Sequence, residues 1–241
     1  MASAGLVPGT RAMGWTIGRF ESMADGAIIS GMRLRDISAP LRDDLPSWPG
    51  EEGLQRTLVS MQPDDDATVS HLSFTAHTGT HVDAPVHFLL DEGGVETFAL
   101  EAFIGPCFAA DLRHVADVVT GDDLEDAEVP EGMTRVLALT RNSGWSRHDT
   151  EFRPDYVAFE PSAAEWCLDR GLRLLGIDYL SVEAYENDGF PVHKSLLAAG
   201  VALLEGIDLD GVTPGSYELV ALPILVPGSD GAPARAVLIE R

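Results

Sequence analysis

Three of the chain's seven histidines and one aspartate fall within the eleven positions His77-Thr78-Gly79-Thr80-His81-Val82-Asp83-Ala84-Pro85-Val86-His87. Imidazole nitrogens and carboxylate oxygens are the donors that Zn²⁺ and Mn²⁺ accept, and a metal site needs several of them converging on one point. His77 and His81 have the spacing of a zincin helix, but Gly79 between two threonines and Pro85 beyond them argue against a helix. A turn leading into an extended piece fits instead. Side chains alternate along an extended piece, so His81 and Asp83 share a face, and Gly79 lets the backbone fold so that His77 joins them. His87 lies past Pro85, which biases Ala84 away from the helical region, and faces the site without being a ligand. A lone histidine in a polar loop is ordinarily a solvated side chain. Three with an aspartate, spaced by Gly, Thr and Pro, point to a metal-dependent active site.

The elements around this stretch must carry it. Arg33 to Ser38 alternates as a half-buried strand, and Gln55 to Met61 reads as another. From Ser70 to Ala76 the alternation resumes, with His71, Ser73 and Thr75 on the polar face, so this strand is expected to deliver His77 from that face. His71 shares the face but lies ~20 Å away along the strand, too far for the same ion. Pro46-Ser47-Trp48-Pro49 is a stiff extended loop, in which Trp48 either lids an aromatic substrate or packs on the domain. The strand Val136 to Thr140 stops at Arg141-Asn142-Ser143-Gly144-Trp145, and Arg141 and Asn142 at its end are candidates for substrate contact or for plain loop structure. Ser162-Ala163-Ala164-Glu165 has the form of a capping box opening a helix that ends before Gly171. Leu174 to Ile177 is a buried strand ending in Asp178. Pro191 to Ala199 is a short helix stopped by Gly200, with His193 in its first turn. Val201 to Leu204 is a further strand, and Tyr217 to Leu222 and Ala234 to Ile239 flank a turn at Pro227-Gly228-Ser229-Asp230-Gly231. Strands outnumber helices, which predicts an α/β single domain with a mixed sheet core and a few covering helices.

At 241 residues the chain suits one domain. The domain is expected over residues 32–241, with residues 1–31, rich in Gly, Ala, Ser and Met, as a flexible leader. A net charge of −23 disfavours nucleic acid and anionic membranes as partners and favours a small molecule, while also keeping the surface solvated. No apolar run approaches membrane-spanning length. Cys107 and Cys167 each sit in an apolar stretch, as buried reduced thiols of a cytoplasmic protein do. Neither has an activating histidine nearby, which weighs against a cysteine hydrolase.

The string His77-x-Gly79-Thr80-His81-x-Asp83-x-Pro85-x-His87 resembles the signature of the cyclase-like metal-dependent hydrolases, the family that includes bacterial kynurenine formamidase and isatin hydrolase. The resemblance runs from about Leu34 to the C-terminus and takes in Trp48-Pro49-Gly50, Gly176-Ile177-Asp178, His193, Glu205-Gly206, Tyr217-Glu218-Leu219 and Ala221-Leu222-Pro223. It implies a swivelling β/β/α-type fold, usually in a homodimer, with a first metal on His77, His81 and Asp83. It also implies His193 and Glu205 as further ligands, and His87 as the catalytic histidine. Either one ion or two are implied, as Mn²⁺ or Zn²⁺. The chain departs from kynurenine formamidases around the later histidine, with Asp178-Tyr179-Leu180-Ser181 and Pro191-Val192-His193-Lys194 where an Asp-Ala-His-His context after a Thr-Pro-Ser strand exit is usual. The pocket wall therefore differs. Without the family, His193 reads as helix surface. Glu205, after four apolar residues, is a charge entering a core, a cost that a metal would offset.

The function these readings support is hydrolysis of an amide-type bond in a small aromatic substrate, an aryl formamide such as N-formylkynurenine or a cyclic amide such as isatin. His87 would move the proton, and Trp48, Phe88 or Trp145 would hold the ring. The competing readings are a metal-dependent cyclase or dehydratase, and a non-catalytic binding protein that a metal stabilises.

Overall fold

The structure, a computed structural model, describes residues 28–29, 31–187 and 189–240. Most of the expected leader lies outside the described residues. Residues 28 and 29, however, form a strand, β1 (Ile28–Ile29), paired antiparallel with β2 (Met32–Asp36).

One large sheet organises the molecule. After β2 come β3 (Gln55–Ser60) and β4 (Val69–Ser73), which pair with each other as a separate two-stranded arm. The short β5 (His81–Asp83), β6 (Ile104–Asp111), β8 (Arg135–Leu139), β10 (Leu174–Ile177), β11 (Ala202–Glu205), β12 (Gly215–Pro223) and β13 (Gly231–Glu240) belong to the large sheet. A small pair, β7 (Val118–Val119) with β9 (Ala158–Phe159), lies apart. In the large sheet the order is β1-β2-β13-β12-β6-β8-β10-β11-β5, and β5 also pairs with the start of β13. The strands from β13 round to β5 therefore close on themselves as a barrel, which leaves no free edge there.

Strands β6, β8, β10 and β11 run parallel, and the remaining pairs in the sheet are antiparallel. Both faces of β8, β10 and β11 are buried, so they read as near-continuous apolar runs. Leu137, Leu174, Ala202 and Leu204 fill the barrel. Val136, Leu175 and Leu203, on the opposite face, pack under the helices α1 (Gly121–Asp126), α3 (Pro161–Asp169) and α4 (Pro191–Ala198). A further single turn, α2 (Trp145–His148), follows β8. The expected mixed sheet with few helices is what the chain adopts.

Two local expectations need correction. The strand expected to carry His77 ends at Ser73, where β4 pairs, among the described residues, with β3 alone; the chain then turns, with the Thr78 N–H donating to Thr75 O at 3.1 Å. His77 therefore stands on a turn. The capping box expected at Ser162 is absent: α3 starts with Pro161 behind Glu160, and the Ser162 hydroxyl donates to Glu160 Oε1 at 2.6 Å. The reciprocal box belongs to Thr120 and Asp123 at α1, a pair with the required spacing in a more polar context.

Candidate active site

Strand register brings the donors together. β5 lies between β11 and β13, with His81 opposite Glu205 and Asp83 opposite Leu203. The period of two puts His81, Asp83 and Glu205 on the face that α4 covers, while Val82 points into the barrel. α4 presents His193 to the same point from its first turn. The turn before β5 is locked in place. Thr80 Oγ1 donates to Gly206 O at 2.6 Å and accepts the Ala39 N–H at 2.8 Å. Gly206 has φ +67°, and a Cβ there would lie 2.1 Å from Gly79 O, so only glycine admits this contact.

His81, Asp83, His193 and Glu205 are each at most 3% exposed. His81 Nε2 lies 3.2 Å from Asp83 Oδ1 and 3.4 Å from Glu205 Oε2, and His193 Nε2 lies 3.3 Å from Glu205 Oε1 and 3.6 Å from Asp83 Oδ2. His77 Nδ1 is 2.9 Å from Asp83 Oδ1. The far nitrogens have their own acceptors: His81 Nδ1 donates to Gly79 O at 2.9 Å, His77 Nε2 faces Asp230 Oδ2 at 3.1 Å, and His193 Nδ1 faces Glu183 Oε2 at 3.2 Å. His77, His81 and His193 thus each turn a nitrogen toward the Asp83 carboxylate, and His81 and His193 also face Glu205.

The electrostatics express the same crowding. Burial works against charge on His81, but Asp83 and Glu205 push it up to about 10. Burial likewise opposes charge on His193, which Glu183 and Glu205 bring up to about 9. Burial would raise the Asp83 carboxyl, yet the His77 hydrogen bond and the adjacent His81 imidazole hold it well below the usual carboxylate range. Without a cation, protons occupy the cluster.

The residues fit a divalent cation. His81 Nε2 and Asp83 Oδ2 are buried and have no hydrogen-bond partner, although each faces polar atoms at 3.2 to 3.6 Å. Close approach without hydrogen-bonding alignment is the arrangement of atoms that share a third body, and buried polar atoms are otherwise partnered. Two donor sets, His77–Asp83–His87 and His81–Asp83–Glu205, each lie within 4.8 Å, and Asp83 is common to both.

His87, on the short turn Pro85–His87, stacks on His77 at 4.1 Å and has Nδ1 3.8 Å from Asp230 Oδ2. Burial lowers its pKa, so it is neutral and able to accept a proton near neutral pH. A cavity of about 230 Å³ opens beside it, lined by Trp48, Glu51, His77, His87, Phe88, Leu180, Ser181, Phe190, His193 and Glu205. Trp48 lines the cavity and packs edge-on against Phe152 at 5.3 Å and Tyr185 at 5.5 Å. Phe88 lies 4.3 Å from the His193 ring.

Three expected substrate contacts lie elsewhere. The Arg141 guanidinium is exposed and donates to Ala116 O and Asp155 O, tying loops together. Asn142 is fully buried and exchanges two hydrogen bonds with the Val157 backbone. Trp145 is in the core, its indole N–H donating to Ile207 O at 3.1 Å. In each case loop backbone groups claimed the polar side-chain atoms. Asp178 likewise bonds Thr140 and Ser143 at the strand exit, and burial pushes it up to about 6. Conversely, Asp230, Glu183 and Phe190 belong to the site's surroundings. Asp230 read only as part of a turn, and neither Glu183 nor Phe190 carries a local signal.

A family model described as "Putative cyclase" matches residues 35–184. Cyclase-like protein 3 of Oryza sativa subsp. japonica is 36% identical over 223 residues, covering 87% of this chain and 81% of its own. The kynurenine formamidase of Salinibacter ruber is 34% identical over 209 residues, covering 86% and 97%. A solved structure described as a potential metal-dependent hydrolase with cyclase activity superposes with TM-score 0.76 at 34% identity, over 87% of this chain and 98% of that one.

Proposed function

The chain belongs to the cyclase family, and from that premise we propose that it is a metal-dependent hydrolase of amide-type bonds in small aromatic molecules. The observation that carries this reading is the pair of buried, unpartnered atoms His81 Nε2 and Asp83 Oδ2 beside a cavity with aromatic walls and a neutral histidine. His77, His81, Asp83, His193 and Glu205 would hold the metal, Zn²⁺ or Mn²⁺, as one ion or two. Its chemistry when bound is Lewis-acidic, acidifying a water and polarising a carbonyl oxygen.

The chain's own residues do the rest. Trp48, Phe88 and Phe190 offer apolar faces that orient an aryl ring. Placing the scissile carbonyl between the donor cluster and His87 makes the encounter effectively unimolecular. His87 takes a proton from the attacking water and returns it to the leaving nitrogen, with Asp230 behind its Nδ1 to favour the protonated form in between. Relatives named kynurenine formamidase support an aryl formamide as the first substrate to try, and a cyclic amide such as isatin is the second.

The test is a panel of aryl formamides and lactams, followed by product mass. Hydrolysis adds one water to the substrate, whereas a cyclase or dehydratase removes one. Activity should vanish on chelation and return with Zn²⁺ or Mn²⁺; activity indifferent to exhaustive chelation rules the proposal out. The working unit is a homodimer, a reading supported by exposed Val59, Val69 and Leu72 on the β3–β4 arm, and its setting is reducing and cytoplasmic, a reading supported by the free, buried Cys107 and Cys167. Light scattering that returns the mass of one chain would exclude the dimer.

A further inference from the structure

Glu183 is a buried carboxylate, 1% exposed, that the proposed reaction does not use. It follows β10 by six residues and sits behind the first turn of α4, where four donors converge on it. Val192 N–H and His193 N–H donate to Oε2 at 3.1 and 3.3 Å, His193 Nδ1 is 3.2 Å from the same oxygen, and Asn187 Nδ2 donates to Oε1 at 2.5 Å. Its own carbonyl accepts the Tyr156 hydroxyl, which pins this stretch of backbone to the aromatic cluster beside the cavity.

Geometry separates its role from that of Glu205. Glu205 Oε1 faces His193 Nε2, the nitrogen turned toward Asp83, whereas Glu183 faces Nδ1 on the other side of the ring. Glu183 therefore cannot reach the centre that the ligands share. An acceptor-only carboxylate beside Nδ1 requires that nitrogen to carry the proton, which leaves the Nε2 lone pair free to coordinate. A carboxylate in this position also raises the basicity of a ligating imidazole and fixes its orientation.

We propose that Glu183 is a positioning residue that sets the tautomer and aim of His193 for the divalent cation, coupling metal affinity to the docking of α4. The proposal rests on the reading of the cluster as a metal site, but not on the substrate. The same carboxylate also satisfies two backbone N–H groups at the start of α4, so a purely structural role has to be told apart from a positioning one. Asn187 supplies the contrast, since it shares the carboxylate without touching His193.

The test compares wild type with Glu183→Gln, Glu183→Ala and Asn187→Ala. Affinity for Zn²⁺ and Mn²⁺ is measured by chelator competition, and the thermal midpoint is measured on metal-free protein. Glu183→Ala should weaken metal binding by about 10–100-fold, the usual loss when the partner of a ligating histidine is removed. Glu183→Gln keeps the shape and one acceptor, and should lose less. Asn187→Ala should lower the metal-free midpoint while leaving affinity at the wild-type value. Equal affinity in wild type and both Glu183 variants overturns the proposal, as does a loss shared by Asn187→Ala, or a wild-type chain that binds neither ion. If Glu183→Ala fails to fold, the isosteric Glu183→Gln decides. These readouts need no substrate, so a protein that hydrolyses no amide yet loses metal affinity at Glu183 refutes the proposed reaction and leaves this inference standing.

Discussion

At the scale of single residues, the histidines of the signature divide the work through what stands behind each ring. His81, His193 and His77 each have one nitrogen committed to an oxygen, from Gly79, Glu183 and Asp230 respectively, and present the other to the cluster. His87 is placed differently: it stacks on His77, borders the cavity and stays neutral because burial penalises its charge. A group in that position can move a proton without holding the ion. His87→Ala is accordingly expected to retain the full metal content by elemental analysis while kcat falls by about 100- to 10,000-fold, the usual range for a lost general acid or base. Loss of metal along with activity would instead make His87 a ligand, through the set it forms with His77 and Asp83.

At the scale of elements, the site depends on β5 being held on both sides. It is only three residues long, and pairing with both β11 and β13 gives it what its length cannot. The turn before it rests on Gly206, whose left-handed φ and absent Cβ allow the backbone at Gly79 to approach. Gly206→Ala must leave the left-handed region or strain it, at about 1–2 kcal/mol, and must also move Gly79 O away from a Cβ that would fall 2.1 Å from it. The expected outcome is a lower thermal midpoint together with weaker metal binding, because the displaced turn carries His77. Calorimetry and chelator competition read both effects; a variant with wild-type values for each would show that the turn is not clamped there. The peripheral β3–β4 arm makes the contrast, since its strand ends before His77 and has no part in aiming it.

At the scale of the whole molecule, the cluster makes stability depend on pH in opposite senses with and without a cation. His81 and His193 are raised to about 10 and about 9 from an ordinary 6.5. A raised histidine stabilises the folded chain fully below its unfolded value, and that stabilisation is lost as pH climbs through the folded value. Asp83 and Glu205 are lowered from 3.8 and 4.5, so their contribution is present above those values and fades on acidification. Metal-free protein should therefore be most stable between about pH 4.5 and 6.5, and its thermal midpoint should fall from there toward pH 10. A cation takes the place of the protons, so its affinity, and with it the stability of loaded protein, should rise across the same interval. A metal-free midpoint that climbs between pH 6.5 and 9 would contradict this account.

Much of this was legible in the chain itself. The signature from His77 to His87 carries its chemistry in residue types and spacing, because a period of two and a glycine hinge are properties of local backbone. Strand and helix positions followed from the same local periodicities, as at Leu174 to Ile177 and Pro191 to Gly200. Tertiary structure alone decided what long-range register decides. It set His81 opposite Glu205, 124 positions later in the chain by their numbers, and turned His193 from an apparent surface residue into a buried donor. It also brought Asp230 and Glu183 behind two imidazoles. Arg141, Asn142 and Trp145 show the converse: their types suited a binding site, but loop backbone groups and the core beside them took up their polar atoms and surfaces first. Residue chemistry is written locally, whereas the sharing of one buried point by distant side chains exists only once the sheet has closed.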